Sequence, residues 1–490
     1  MGYHGAPKEG ISAFVACSAL IKVNWGIGMM AMPYYLHKAG VQAGVAFFIF
    51  TMGLTYLSID RLLRCADELA QRHARTADAI ASLLEDKAAL DTPLEVQAAL
   101  DKAAQKLTFS GVVGGALGPI GEAVCVACIA LSCIGSCIAY LKFIGDNMSS
   151  FVGGSLWHWV LGATFPVTLL TWLDDVSFLA GSNILGIALA VGFAVVIVVN
   201  AASSLSASDF AHTRDQGPAI NPSVMNLAVA TGLAVFCNEG IVVLSPAVRN
   251  SMQRPETYRT VLASAMVVFT VCYMIVALCG YTLYQGRESE LSLSLPHGSL
   301  RSSIAVVLYC CQLVPSFAVV YFMAVEASED AYLRLWCGHV AGRDMASAPF
   351  RELRSRFVAC RTTGVWVSGV VALLVPSFGD FLALSGAVAN SLSIYILPHL
   401  CYLAVFSNRE QPHVAAFDDT DEAPGPSVPP EVASPLFNHL LSPEEVENLS
   451  RQRSRASLPG WDFLLSSIII LFGVVTSVVG TYASVVGLLK

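Results

Sequence analysis

Two apolar runs of the sequence each carry a polar interruption. The first, residues 22–33, reads KVNWGIGMMAMP; the second, AVATGLAVFCNEGIVVLSP, places Asn238, Glu239 and Gly240 near its centre. Glycines let a helix unwind and present free amide hydrogens to an anion, while carbonyl oxygens freed at a break accept hydrogen bonds from a cation. Together the two interruptions predict a site for a small zwitterion. The alternative is that the glycines serve close helix packing and the asparagine bonds between helices.

Two ionisable residues lie beside these interruptions. Glu239 sits at the second one, where a carboxyl group could take up and release a proton, or could serve as a structural cap or pairing partner. Lys22 lies one turn before the first, where it could snorkel towards water or pair with Glu239 or Glu326. Glu239 and Lys22 are therefore the candidate proton-coupling residues, with structural roles as the alternative.

The composition is that of a membrane protein. Hydrophobic residues make up 55% of the 490 residues, charged residues 13%, and the mean hydropathy is +0.62, beyond what soluble chains usually carry. The partner expected from this is the lipid bilayer, and the net charge of −8 argues against nucleic acid. We expect no cleavable signal peptide, because the first apolar run is long and lacks a cleavage site.

Apolar windows of about 20 residues predict eleven membrane spans. They cover residues 12–36, 42–63, 120–145, 156–173, 178–200, 224–247, 260–285, 302–327, 362–379, 381–406 and 461–489. With the N-terminus in the cytosol, the cytosolic segments hold 21 Lys and Arg residues and the opposite face holds five. Positive charge concentrates on the cytosolic side of membrane proteins, so this orientation is the predicted one.

The spans and polar segments divide the chain into six parts. Residues 64–110 are rich in Ala, Leu, Glu and Lys and predict surface helix, whereas residues 407–460, with DDTDEAPGPSVPPEVASP, are typical of disorder. The parts are a cytosolic N-terminus (1–11), spans one and two (12–63), a cytosolic helical loop (64–110), spans three to ten (111–406), a disordered cytosolic loop (407–460) and span eleven (461–490).

The interruptions fall in spans one and six, which are five spans apart. Irregular backbone at membrane depth is tolerated where it is buried in protein or lines a wet cavity. Matching breaks in corresponding helices of two halves are the sequence sign of an inverted-repeat transporter. The pattern therefore predicts an all-α membrane protein whose site lies between broken helices.

Seven separate motifs resemble the amino acid/auxin permease family, particularly its proton-coupled amino acid transporter branch. They are LIKVNWGIGMMAMPYYLHKAG, RCADELAQR, GSCIAYLKFIGDN, NEGIVVLSPAVRNSMQRPETY, PSFAVVYFMAVE, VALLVPSFGDFLALSGAVANSLSIYILPHLCYL and FGVVTSVVGTYASVV. The resemblance implies eleven transmembrane helices in a five-plus-five inverted repeat with broken helices 1 and 6, of the amino acid–polyamine–cation transporter type. It also implies secondary active transport of amino acids, with the substrate carboxylate at the first break and its amine at the sixth.

The breaks and the resemblance together give the candidate substrate-binding residues. Tyr140 in span three and Ser316 and Phe317 in span eight align with family positions near the substrate, with core packing as the alternative for the aromatic residues. The candidates are Asn24, Gly26, Ile27, Gly28, Tyr140, Cys237, Asn238, Glu239, Ser316 and Phe317.

The sequence also departs from the family pattern. Span two carries Leu57 where the proton-coupled branch has a histidine, and we expect no other histidine deep in a span, so the sequence does not support proton coupling through a histidine. We predict no metal site, because the run Cys125, Cys128, Cys133 and Cys137 lies on an apolar helix without a turn or histidine. No cofactor is expected beyond a proton gradient as the driving force, with sodium left open.

The predicted function is proton-coupled symport of small neutral amino acids by alternating access. The alternative is a membrane sensor that binds an amino acid without net transport and signals through residues 64–110 or 407–460. An enzyme is not predicted, because no nucleophile, base and oxyanion set occurs at a loop. The location predicted is the plasma membrane or an acidic organelle membrane, and both remain open.

Overall fold

The computed structural model describes residues 10–86, 108–172, 180–204, 220–336, 348–406 and 460–489. Within these residues the regular elements are helices, joined by one isolated β-bridge between Ile11 and Met252. The α-helices are α1 (Ala13–Asn24), α2 (Met32–Ala39), α3 (Val41–Asp86), α4 (Phe109–Phe151), α5 (Leu156–Thr171), α6 (Ala180–Ser204), α7 (Val224–Phe236), α8 (Ile241–Ser251), α9 (Tyr258–Tyr284), α10 (Leu300–Trp336), α11 (Ala348–Leu374), α12 (Phe378–Ser385), α13 (Leu397–Phe406), α14 (Gly460–Val475) and α15 (Thr481–Leu488).

Short tighter or wider helical segments connect several of these helices. The 3₁₀ segments are Ile27–Ala31, Pro255–Thr257 and Leu291–Ser294, and the π segments are Gly386–Asn390, Leu392–Ile396 and Thr476–Gly480. The π segments run on directly into their neighbours, so α12 to α13 and α14 to α15 each form one long rod, Phe378–Phe406 and Gly460–Leu488.

The described part of the chain has eight helices long and apolar enough to cross a membrane, or up to nine if the bent pair Ala13–Asn24 and Ile27–Ala39 counts as one span. Two shorter apolar helices, α5 and residues 186–200 of α6, lie where spans four and five were expected. The prediction of an all-helical, multi-pass membrane protein is confirmed. The total of eleven spans stays a prediction, because a helix of 16 residues such as α5 falls short of a full crossing.

The first predicted interruption is a bend of 48° between α1 and the stretch Ile27–Ala39, which comprises the 3₁₀ segment and α2. The bend frees backbone carbonyls, which need partners inside a membrane protein. The Tyr273 hydroxyl donates to the Asn24 carbonyl at 2.5 Å, and the Tyr309 hydroxyl donates to the Gly26 carbonyl at 3.2 Å. Pro33 lies in the first turn of α2, where its missing N–H costs no hydrogen bond. Tyrosines from two other helices therefore hold the break open.

The second interruption is a local turn rather than a sharp bend. Residues 237–240 form a turn between α7 and α8, and the two helices continue as one membrane-length span, Val224–Ser251. Gly240 closes the turn with φ +79°, a left-handed conformation that side-chain-bearing residues rarely adopt. The turn leaves the Glu239 side chain at the point where the helix is interrupted.

Around the breaks, the helices meet at small residues. A Cβ atom on Gly386 would lie 2.8 Å from the Phe236 backbone nitrogen and would press on the Gly232 carbonyl. A Cβ atom on Gly232 would in turn lie 3.0 Å from the Ala383 carbonyl carbon. Such close backbone approach needs glycine on both sides and is common where helices pack in membranes.

We expect Gly386→Leu to destabilise the protein, because overpacking an interface of this kind costs about 1–3 kcal/mol or more. The measurement is the midpoint of thermal unfolding in detergent. Gly53→Leu is the matched control, since a Cβ atom on Gly53 meets nothing within 4 Å. Equal unfolding temperatures for the two variants would contradict the close contact between α7 and the π segment Gly386–Asn390.

A buried ion pair attaches the last rod to the bundle. Arg61 on α3 pairs with Asp462 on α14, and the two side chains are 7% and 9% exposed. The Arg61 guanidinium also lies over the Tyr402 ring, 4.1 Å from its centroid. Removing either charge would leave the other buried without its partner, which is strongly destabilising. This pair therefore joins α3 to α14, the first helix of the last rod.

One expectation about histidine is wrong. His399, in predicted span ten, is fully buried, and its Nε2 lies 3.2 Å from the Ser58 hydroxyl on α3. The residue follows Pro398 near the cytosolic half of that span, where the apolar pattern alone does not reveal that α13 packs against α3. In the described segments α3 continues as helix to Asp86, and most of the predicted disordered loop, residues 407–459, lies outside the described residues.

Candidate functional site

A cavity lies where the two breaks face each other. It offers about 50 Å³ to the centres of water-sized molecules, compared with the roughly 10–15 Å³ that one buried water needs by the same measure. Seven of the predicted substrate residues lie on its wall: Asn24, Gly26, Ile27, Gly28, Tyr140, Cys237 and Glu239. The cavity is thus large enough for several water-sized groups of atoms. Residues from both predicted breaks form its wall.

The first break contributes backbone rather than side chains to the cavity. The amides at the start of the 3₁₀ segment have no acceptor earlier in that segment, as at the N-terminus of any helix. Gly26 has an extended backbone, φ −107° and ψ −155°, and neither Gly26 nor Gly28 is among the glycines with positive φ. A Cβ atom on Gly28 would lie 3.0 Å from the Cys237 sulfur and 3.4 Å from the Tyr273 hydroxyl. Space, more than backbone freedom, requires glycine at position 28.

The carboxyl group of Glu239 forms the polar wall of the cavity. The Ser132 and Ser136 hydroxyls donate to its two oxygens, each at 2.5 Å, and Ser132 also contacts the Asn390 side chain. The two serines are four residues apart on α4 and therefore share one helix face. Hydrogen bonds to an ionised carboxylate are stronger than neutral ones. Glu239 is thus held between α4 and the π segment that carries Asn390, while part of it faces the cavity.

Lys22 is not paired with Glu239, which was one of the alternatives considered for it. Its ammonium donates to Gln312 Oε1 at 3.0 Å and to Ser316 Oγ at 3.3 Å. A Cβ atom on Gly186 of α6 would collide with the lysine side chain, so α6 also borders this position. The other partner considered, Glu326, lies outside the residues whose side chains the structure describes. Lys22 therefore bridges α1 and α10 through neutral groups.

Three predicted substrate residues do not lie on the cavity wall. Asn238 is fully buried, and its Nδ2 donates to the Ala234 carbonyl at 2.9 Å. Ser316 holds Lys22, as described above. Phe317 is fully buried and stacks on Tyr321 with 5.7 Å between ring centroids. Asn238 lies between two wall residues in sequence, and Ser316 and Phe317 lie about one turn before the wall residue Val320, but the side chains of all three serve the packing around the cavity.

The structure adds wall residues that sequence reasoning missed. They include Ser132, Ser136, Tyr273, Met323, Asn390 and Ser393. The serine pair at i and i+4 in span three and Asn390 in span ten are polar residues inside apolar spans, which is a signal for a functional site. That signal identifies polar positions but not which of them share one cavity.

Two known proteins are similar to this chain in sequence, and one solved structure is similar to it in fold. The amino acid transporter AVT1C of Arabidopsis thaliana is 26% identical over 327 residues, covering 64% of this chain and 55% of that protein. The sodium-coupled neutral amino acid transporter 7 of Homo sapiens is 24% identical over 342 residues, covering 65% of this chain and 70% of that protein. A solved manganese transporter from Eremococcus coleocola superposes over 97% of this chain and 94% of that one, with a TM-score of 0.45 and 11% identity.

The family assignment rests on a model that spans most of the sequence. The model described as transmembrane amino acid transporter protein matches residues 9–418, which include both breaks and every residue of the cavity wall. The members of this family are membrane carriers rather than enzymes. This chain therefore belongs to the transmembrane amino acid transporter protein family.

Proposed function

We propose that the protein carries small neutral amino acids together with protons, by alternating access around the cavity between its two breaks. The observation that carries this proposal is the meeting of both breaks at one cavity whose polar wall is a carboxyl group. In this proposal the amides of the first break bind the substrate carboxylate, and the carbonyls near Cys237 accept from its amine. The five-plus-five inverted repeat with an added eleventh helix belongs to the same proposal.

The size and lining of the cavity support a small neutral substrate. Its wall is mainly apolar and includes Ile129, Val242, Val320 and Ile394 beside the polar side chain of Glu239. A pocket of this kind fixes a ligand by a few polar groups and accepts an apolar remainder. Glu239 is the carboxylate on this wall, and it is already bonded to two serines.

The position of Lys22 supports protons over sodium as the coupling ion. Its ammonium is bonded to the Gln312 and Ser316 side-chain oxygens, which are the kind of oxygen ligands a hard cation prefers. A second positive charge at these oxygens would be repelled by the first. One relative carries sodium coupling in its name, and Lys22 is the feature of this chain that favours the proton instead.

The proposal is tested with purified protein in proteoliposomes. Labelled alanine, serine, lysine and glutamate are offered with an inward proton gradient, with and without sodium. We expect alanine and serine to accumulate against their gradients, and sodium to make no difference. Accumulation that requires sodium would reject the proposed ion, and preference for lysine would reject the proposed substrate class.

The same vesicles separate a carrier from a sensor. A carrier exchanges labelled for unlabelled substrate across the membrane even without a gradient, whereas a sensor shows saturable binding with no such exchange. The relatives compared above are named as transporters, and the sensor alternative gains no support from them. Binding without exchange would nevertheless overturn the proposal for this chain.

A further inference from the structure

The segment between α9 and α10, residues 285–299, lies across one end of the bundle and is called the outer loop below. In the predicted topology this end is opposite the cytosolic segments. At Gly286, with φ +61°, an added Cβ would fall 3.0 Å from the Tyr34 nitrogen, and one on Gly379 would fall 3.1 Å from the Ser289 Cβ. The outer loop therefore touches both the outer half of the first broken helix and the start of α12.

The outer loop buries a carboxyl group against a second one. Glu290 is 1% exposed, and the Asn147 Nδ2 donates to its Oε2 at 2.7 Å. The carboxyl group of Asp146, on α4, lies within hydrogen-bonding reach of Glu290 and is paired with Lys142 at 2.7 Å. Two carboxyl groups this close cannot both stay ionised without strong repulsion, and sharing one proton removes it.

Asn147 fixes Glu290 against α4. The residue is fully buried, and its Nδ2 donates both to Glu290 Oε2 at 2.7 Å and to the Phe143 carbonyl at 2.8 Å. The second bond sets the orientation of the amide, so its N–H groups point at Glu290 and at the backbone of α4. A protonated Glu290 can therefore keep Oε2 on Asn147 and donate its O–H from the other oxygen to Asp146.

We propose that Glu290 and Asp146 form a proton-binding site, and that a proton held there keeps the outer loop closed against α4. When the proton leaves, the two carboxylates repel each other and the loop separates from α4. This site is distinct from Glu239 in the cavity. It acts on access from the outer end and does not depend on which substrate is carried.

The direction of the pH dependence follows from where Glu290 lies. Burial, and after it the charge of Asp146, raises the pKa of Glu290 well above its ordinary value of 4.5, while Lys142 and the Asn147 amide act in the opposite direction. With the loop released into water, the pKa returns to its ordinary range. At pH values between the ordinary pKa of Glu290 and its raised pKa, the closed loop therefore binds more protons than the open loop. Closure is favoured in acid and weakens as the pH rises through this window.

Other titratable groups surround the outer loop, and their contribution to its pH dependence must be distinguished from that of Glu290. The charge of Glu290 also acts on the Cys310 thiol of α10. The remaining candidates on the neighbouring elements and on the loop itself are Tyr34, His37, Lys38, Tyr281, Tyr284, Arg287, Glu288, His297, Arg301, Tyr309 and Asp380. The two histidines are the ones whose ordinary pKa lies near neutrality.

The test measures how fast a thiol on the inner side of the outer loop is labelled by a thiol-reactive reagent at different pH values. Full-length protein in detergent carries Ser289→Cys, and a second sample carries Gly298→Cys, an exposed position of the same loop where an added Cβ meets nothing within 4 Å. Labelling is read by mass spectrometry of the peptide concerned. The rate at 289 is divided by the rate at 298 to remove the intrinsic pH dependence of thiols.

We expect this ratio to rise about tenfold between pH 5.5 and pH 7.5, as one linked proton allows. In Glu290→Gln, the neutral amide mimics the protonated acid, so the ratio stays low at every pH. Asp146→Asn removes the repelling charge but not the burial of Glu290, so the ratio rises less than in the unaltered protein; an undiminished rise would contradict the proposal. Glu288→Gln is the matched control, because Glu288 is exposed two residues away; it keeps the rise.

A ratio that does not change with pH in the otherwise unaltered protein overturns the proposal. So does a rise that persists in Glu290→Gln, because it would assign the response to the histidines. Neither readout requires transport, so a failure here is separate from a failure of the proposed carrier function. If Glu290→Gln does not fold, Asp146→Asn and the unaltered protein still decide the matter.

Discussion

Gly28→Val lowers uptake and substrate binding about 100-fold, a loss of roughly 2.8 kcal/mol at about 1.4 kcal/mol per tenfold. The structure gives the reason: a Cβ atom on Gly28 already lies 3.0 Å from the Cys237 sulfur and 3.4 Å from the Tyr273 hydroxyl. The two branches of valine extend further into the cavity and displace the Tyr273 hydroxyl from the Asn24 carbonyl. Both breaks are disturbed at once, because Cys237 belongs to the second.

The measurement is exchange of labelled alanine in proteoliposomes, with protein recovery and gel-filtration profile recorded for each variant. Gly28→Ala adds the Cβ atom without the two branches of valine and should retain part of the activity. Gly162→Val is the matched control, since a Cβ atom on Gly162 meets nothing within 4 Å. Uptake by Gly28→Val at the level of the unaltered protein would exclude the cavity as the substrate site.

Glu239→Gln should separate exchange from accumulation. Glutamine has nearly the size of a protonated glutamate, and its Oε1 can still accept from one serine, while the other serine hydroxyl rotates to accept from its Nε2. The hydrogen bonds to Ser132 and Ser136 can therefore be kept, but the side chain no longer takes up a proton. Exchange of substrate persists, and proton-driven accumulation is lost.

The loss is large and measurable. With one proton per substrate, the gradient supports about tenfold accumulation per pH unit, since a factor of ten corresponds to about 1.4 kcal/mol. In Glu239→Gln the ratio of inside to outside substrate should fall to one at any imposed gradient. Glu256→Gln, at an exposed carboxylate between α8 and α9, should accumulate normally. Full accumulation by Glu239→Gln would remove this residue from the proton path, and loss of exchange as well would favour a structural role.

Local sequence signals were sufficient to predict the helices and their interruptions. Apolar windows predicted the membrane class, and glycine and proline predicted the bend after Asn24. The physical reason is that both depend on short stretches of chain: solvation by lipid decides the first, and loss of helical hydrogen bonds decides the second. The cavity wall at Gly26, Gly28 and Glu239 followed for the same reason.

Contacts between distant segments could not be predicted in this way. Ser132 and Ser136 donate hydrogen bonds to Glu239, about a hundred residues away in sequence. Lys22 donates to Gln312 rather than to a carboxylate. A single sequence shows that such residues are polar and buried, but their partners depend on how helices rotate and pack. The same limit explains His399, whose burial arises from packing between α13 and α3.

The ion pair between Arg61 and Asp462 has a consequence for how the protein is made. Arg61 enters the membrane with the second helix, early in synthesis, but its carboxylate partner is translated about four hundred residues later, which takes roughly 20–80 s at 5–20 residues per second. During that interval the guanidinium must keep water or lipid phosphate as its neighbour, so α3 cannot settle fully into the bundle. Nascent chains that end before residue 460 would lack the carboxylate that neutralises this guanidinium. The contact between α3 and α14 can therefore form only after the helix that carries Asp462 has been synthesised.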